Sequence, residues 1–227
     1  MLPNPLDASS FAHRFVSVPT SGHCYHLVDQ PAEGVEPGKA KATLLLCHGW
    51  PDLWYGWRYQ IVHFVAAGYR VLCPSQLGYG ESSRPEDVEA YTFKHVTRDM
   101  KELLDAVGIP EVVVIGHDWG GIVAWQFADY YPKRVKACLS VCTPYLAPAS
   151  PTAHFIPLED LIRTALPNFG YQLFLTSNRA APKITGVLEQ FLASSFSRTV
   201  KEVRRAQGQE ATSVPVKEGE LEKAMDD

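Results

Sequence analysis

Strand-forming and helix-forming stretches alternate through the first two thirds of this chain, which predicts an α/β fold with a mainly parallel sheet. Two observations carry that reading. Val112-Val113-Val114-Ile115 places four β-branched residues in a row, as suits a parallel strand covered on both faces. Gly116-His117-Asp118-Trp119-Gly120-Gly121 follows at once, and reads as a one-residue corner leading into a helix. Its glycines remove side chains where the backbone turns and where helix meets strand.

The remaining elements fall into order around that strand. Residues 12–18 and 23–29, split by Thr20-Ser21-Gly22, predict an antiparallel hairpin at a sheet edge. Pro31 to Lys41 is rich in Pro, Gly and charge and is expected to be a surface connection. Residues 42–47 form the next buried strand and run into His48-Gly49-Trp50-Pro51. A helix over about 54–67 is closed by Gly68. Residues 69–74 give another strand, followed by a turn through Gly78-Tyr79-Gly80 and Ser82-Ser83. Thr92 is expected to cap a helix whose apolar face is Phe93, Val96, Met100, Leu103, Leu104 and Val107, with Gly108 as its stop. The helix after Asp118 ends near Pro132, and residues 135–141 form a last strand.

At Thr143 the pattern breaks. Prolines crowd 144–157, and residues 158–206 read as short helices packed through Leu161, Ile162, Leu173, Phe174, Leu188, Phe191 and Leu192. The organisation expected is a core over 1–143, a partial helical cap over 144–207, and a polar tail over 208–227 that is poorly ordered.

Composition excludes several classes. Of 227 residues, 46% are hydrophobic and 20% charged, which is ordinary for a globular chain. A net charge of -4 offers no general attraction to nucleic acid. No apolar run is long enough to span a bilayer, and Met1-Leu2-Pro3-Asn4-Pro5 lacks the pattern of a signal peptide, so the default expectation is a cytoplasmic protein. Cys24, Cys47, Cys73, Cys138 and Cys142 are read as reduced thiols, mostly buried beside strands. His23 and His26 alternate to opposite faces of a strand, so no metal site is expected there. No cofactor is called for.

The chemistry lies in the corner residue. G-x-D-x-G is a nucleophile elbow with an acid where hydrolases of esters place serine. A carboxylate, with a reference pKa near ~4, is ionised without help from a base. It is a weak nucleophile, so its target must be strained or carry a good leaving group, as epoxides and alkyl halides do. The plainer alternative is that Asp118 only caps the helix.

These residues together resemble the epoxide hydrolase branch of the α/β-hydrolase fold, of the soluble and fungal type. The resemblance runs from His48 to Pro144 through HGWPDLWYGWRYQ, GYGESS, GHDWGG and CTPY, and resumes at Gly170-Tyr171-Gln172-Leu173-Phe174. It implies that Asp118 attacks an epoxide carbon to form an alkyl ester. It implies that the backbone N–H groups of Trp50 and Trp119 form an oxyanion hole, donors that can each be worth roughly 3–4 kcal/mol. Pro51 would set the loop that aims the Trp50 N–H. Tyr171 would donate a proton to the epoxide oxygen. His48 and His117 stand beside the site, read as loop-holding residues along its wall, and Phe155 and Phe169 complete an apolar or aromatic pocket. The expected substrate is a small apolar or aromatic epoxide.

The family pattern also contains strands beyond the cap, carrying a relay acid and the histidine that activates water. Those strands, that acid and that histidine are not found in this sequence. The only histidine after Asp118 is His154, at the cap entrance, where a water-activating base is not expected. The reading is therefore a shortened epoxide hydrolase with little or no turnover, its last strand left as an apolar edge that invites assembly or aggregation. Two alternatives stand beside it. One is a haloalkane dehalogenase, although Trp50 occupies the place where those enzymes typically carry asparagine. The other is a non-catalytic fragment or binding protein that keeps the fold without the turnover.

Overall fold

The structure is a computed structural model that describes residues 1–147 and 154–196, together with Gly219, Leu221 and Met225. The chain divides into two compact units, Met1–Ala147 and Pro148–Asp227.

The first unit is built on six strands: β1 (His13–Ser17), β2 (Cys24–Gln30), β3 (Thr43–Cys47), β4 (Arg70–Pro74), β5 (Val112–His117) and β6 (Val135–Val141). They form one sheet in the order β1-β2-β4-β3-β5-β6. The β1–β2 hairpin is antiparallel and joins β4 antiparallel, while β4, β3, β5 and β6 run parallel. The mainly parallel sheet with an antiparallel N-terminal hairpin is the architecture that the alternating pattern predicts. Among the described residues, no strand follows β6.

Three helices cover the sheet: α1 (Arg58–Ala66), α2 (Phe93–Ala106) and α3 (Trp119–Tyr130). Alternate residues of each central strand face opposite ways. Leu45, Cys47, Leu72, Val112 and Val114 pack with Met100, Leu103, Leu104 and Phe127 of α2 and α3. Leu44, Leu46, Val71, Cys73 and Ile115 pack with Ile61 and Val65 of α1.

Three local expectations need correction. The helix expected from residue 54 opens as a 3-10 turn, Trp54–Trp57, before α1 begins. The tighter turn brings Trp54 inward, edge-on to Phe11 at 5.2 Å between ring centroids. Thr92 holds the N-cap position of α2, but its hydroxyl donates back to the Glu89 carbonyl at 3.0 Å and caps nothing. Of the five thiols, all free, only Cys47 and Cys73 are buried; Cys142 is exposed. It follows the last residue of β6 at φ 66°, where the chain turns out of the sheet. Burial, with Cys138 nearby, pushes the Cys47 thiol up to about 12.

Among the described residues β6 is the sheet edge, and Leu139 and Val141 are 51% and 42% exposed on it. Apolar side chains beside unpaired backbone groups favour association. The chain is expected to associate with rising concentration in size-exclusion chromatography, and Leu139→Lys with Val141→Lys to reverse it. An unsubstituted chain that elutes as a monomer at every concentration would contradict this.

The second unit contains α4 (Leu158–Thr164), α5 (Tyr171–Leu175), α6 (Ala180–Gly186) and α7 (Leu188–Phe196). Ile162, Phe174 and Phe191 are buried in it, whereas Leu188 and Leu192, expected as packing positions, are 49% and 40% exposed. Short helices bury a narrow stripe, and these two leucines lie off it. The expected polar tail, 208–227, lies outside the described residues apart from Gly219, Leu221 and Met225. No helix among the described residues is long and apolar enough to cross a membrane.

Candidate active site

Asp118 sits between β5 and α3 at φ 55° and ψ −125°. Positive φ on a residue with a Cβ costs on the order of 1–3 kcal/mol and persists only where the surroundings enforce it. Here the surroundings are backbone. A Cβ at Gly116 would meet the Gly120 carbonyl, and one at Gly120 would meet the carbonyls of Cys47 and His48. The glycines therefore let β5, α3 and the end of β3 approach closely enough to force the corner.

That approach brings the loop after β3 over the corner. The Trp50 N–H donates to Asp118 Oδ1 at 2.9 Å. The Asp118 side chain makes no capping hydrogen bond to α3. The helix-cap alternative is thereby set aside: a cap would satisfy the amides of its own helix, and this carboxylate is held by another loop. Trp119 heads α3, where its N–H has no carbonyl four residues back to bond. The Trp50–Pro51 peptide is cis.

His48 is wholly buried under this loop. Its Nε2 accepts from the Gln76 N–H at 3.0 Å, so its Nδ1 carries the proton and donates to the Gly49 carbonyl at 2.9 Å. The Gln76 side chain in turn donates to the His48 carbonyl. The imidazole is a neutral staple between the loops after β3 and β4, and not part of a pocket wall as the pocket reading had it. Burial lowers its pKa, against the opposing pull of the Gly49 carbonyl and Asp52. His26 is also buried and lowered, first by burial and then by His13, with Glu81 opposing. Its Nδ1 pairs with Ser75 Oγ at 3.0 Å.

These two rings set a pH dependence. Folded, they resist protonation; unfolded, they take up protons near the reference value of about 6.5. As pH falls through that value the unfolded chain binds more protons, so stability falls. The loss continues down to the lowered folded values. The expected result is a urea midpoint that drops as pH is taken from neutral toward mildly acidic. His26→Asn should make that slope shallower, whatever it does to absolute stability. A slope that is flat in the unsubstituted chain would count against this account.

His117 also departs from its expected place. It lines a cleft of about 460 Å³ with Trp57, Gln60, Phe64, Ile115, Leu139 and Val141, on the α1 side of the sheet, and Asp118 is not among the lining residues. Side chains alternate along β5, so the residue before the corner faces this side while Asp118 is carried into the turn. On the other side, Trp119 lines a recess of about 170 Å³ with Gln76, Tyr79, Tyr91, Phe93, Val96 and Val123. Trp119 stacks on Phe93 at 6.4 Å. Burial, then the Asp118 charge, pushes the Tyr79 phenol up to about 12.

The remaining expected residues lie in the second unit. Tyr171 is half-buried at the start of α5 and stacks on Phe169 at 6.3 Å. Phe155 is 90% exposed, three residues before α4 begins. His154 is exposed. Among the described residues, no group of three or more His, Cys, Asp or Glu side chains is placed to hold a metal ion.

Sequence reasoning expected His48 to hold loops, but missed its partner Gln76, the recess residues Tyr79 and Phe93, and a brace behind the elbow. Thr143 Oγ1 donates to the Asp118 carbonyl at 2.7 Å. Its signal was the break in pattern at Thr143, which marks where the strand ends but not what the hydroxyl touches.

Residues 42–210 match a family described as alpha/beta hydrolase fold. The chain belongs to the α/β-hydrolase fold family. Within that fold, it is 38% identical over 205 residues to the bifunctional epoxide hydrolase 2 of Mus musculus, across 90% of this chain and 33% of that protein. It is 42% identical over 142 residues to epoxide hydrolase A of Mycobacterium tuberculosis, across 63% of this chain and 42% of that one. Among solved α/β hydrolases, an epoxide hydrolase from Vigna radiata superposes with a TM-score of 0.69 at 28% identity, covering 83% of this chain and 55% of that chain. Epoxide hydrolase A from Mycobacterium thermoresistibile gives 0.66 at 29% identity, covering 94% and 69%. The chain thus spans about a third of the length of the curated relatives it matches first.

Proposed function

We propose that this chain opens small apolar or aromatic epoxides by attack of Asp118, forming a covalent alkyl ester. The observation that carries the reading is the state of the Asp118 carboxylate. One oxygen is held by the Trp50 N–H at 2.9 Å and neither is spent on capping α3. The similarity to named epoxide hydrolases supports the same chemistry.

In the proposed step the free carboxylate oxygen bonds to a ring carbon and that carbon's bond to the epoxide oxygen breaks. The alkoxide takes a proton from the Tyr171 phenol, and the phenolate regains one from water. The ester carbonyl stays against the Trp50 N–H, with the Trp119 N–H as second donor, where an oxyanion would form on hydrolysis. Ring strain supplies the driving force that a weak nucleophile needs.

Hydrolysis of the ester requires a base that reaches water. His48 has both ring nitrogens committed, and His117 lines the cleft on the α1 side. The 227-residue chain is therefore expected to load and then stall. Incubation with styrene oxide should give a stable gain of one epoxide mass, mapped to Asp118. Steady diol production would overturn the stall. No adduct at all would overturn the epoxide reading and favour a fold kept without chemistry.

A further inference from the structure

The peptide joining Asp118 to Trp119 is planar and trans, so its carbonyl and its N–H point in opposite directions. Whatever holds one aims the other. The Asp118 carbonyl accepts two hydrogen bonds, from the Gly121 N–H at 2.8 Å and from Thr143 Oγ1 at 2.7 Å. The first is local to the turn. The second arrives from beyond β6.

Thr143 is itself held from two sides. Its carbonyl accepts from Ser140 Oγ at 2.7 Å and from Trp125 Nε1 at 3.1 Å. Cys142, at φ 66°, folds the chain back so that Thr143 faces the elbow. Gly121 leaves the room: a Cβ there would run into Ser140 Oγ and the Thr143 side chain. Strand end, helix α3 and elbow are thus tied through one residue, the first two at its carbonyl and the elbow at its hydroxyl.

We infer that the Thr143 hydroxyl is a positioning group that sets the direction of the Trp119 N–H beside the elbow, fixing it as the second donor of the oxyanion hole that forms on ester hydrolysis. The inference rests on the reading of Trp119 as that donor. It predicts a selective effect. Attack by the carboxylate builds no oxyanion, so loading needs the aim little. Hydrolysis of the ester does: hydroxide adds to the carbonyl carbon, the oxygen becomes an oxyanion, and the bond to the alkyl oxygen then breaks. The departing alkoxide takes the proton of the carboxylic acid so formed, and the carboxylate returns.

The test loads the full chain, Thr143→Val and Thr143→Ser with styrene oxide, removes the excess, and follows ester decay by intact mass in mildly alkaline buffer. Hydroxide there supplies the nucleophile. Loss of a whole donor costs 10²–10³, so a misaimed one is expected to slow decay about tenfold in Thr143→Val. Loading should keep its rate, and Thr143→Ser should match the unsubstituted chain. Unchanged decay, loading and decay slowed together, or failure of serine to rescue would each overturn the inference. If Thr143→Val does not fold, Thr143→Ala takes its place.

A second readout needs no reaction. Hydrogen exchange at the Trp119 amide should quicken in Thr143→Val and return with serine; unchanged exchange would overturn the inference. If the unsubstituted chain takes no label, the epoxide reading fails, and this amide measurement alone judges the brace.

Discussion

Asp118→Asn is expected to abolish the styrene oxide adduct while leaving the fold intact. The amide keeps an oxygen that can accept from the Trp50 N–H, so the 2.9 Å contact survives. It lacks the anionic oxygen that attacks. Little stability should be lost, because the native side chain caps nothing in α3. Asp118→Gly should remove the same chemistry and also relieve the positive φ, raising stability by about 1 kcal/mol or more. Intact mass reads the first effect and urea denaturation the second. An adduct that persists in either variant would place the nucleophile elsewhere. A large fall in stability in Asp118→Asn would mean that the carboxylate holds the fold together, not the reaction.

Gly120→Ala is expected to have the largest effect on folding. Its Cβ would meet the main-chain carbonyls of Cys47 and His48. A flexible side chain could swing away, but these are main-chain atoms of the last residue of β3 and the one after it, where Cys47 is paired with Gly116 of β5. Overpacking costs typically 1–3 kcal/mol, and a clash with a fixed backbone belongs at or above about 3. The variant should be recovered mostly insoluble, or unfold at a much lower urea concentration. Gly186→Ala is the matched control. Nothing lies within 4 Å of a Cβ there, and the residue ends α6. It should be neutral or slightly stabilising. Equal behaviour of the two variants would refute the close-approach account of the elbow.

Both expectations depend on geometry that was only partly legible beforehand. The strand, corner and helix around Asp118 are local, so their periods and glycines announce them. The same holds for the hairpin from His13 to Gln30 and for the stops at Gly68 and Gly108, both at positive φ. Other features were not local. Thr92 sits at a helix start with a residue type suited to capping, yet its hydroxyl finds a nearer carbonyl at Glu89. His48 and His117 flank the site in sequence, but one is buried as a staple and the other faces the α1 side. Alternation along a strand decides which side, and a neighbour in sequence is not a neighbour in space.

By itself the sequence determined the order of elements, the parallel character of the sheet and the one acid placed at a tight corner. These follow from local rules of period, glycine and steric fit. Only the tertiary structure decided what that acid touches. Trp50 comes from 68 positions before it and Thr143 from 25 positions after it. Contacts between such distant positions form only once the sheet brings the ends of β3, β5 and β6 side by side.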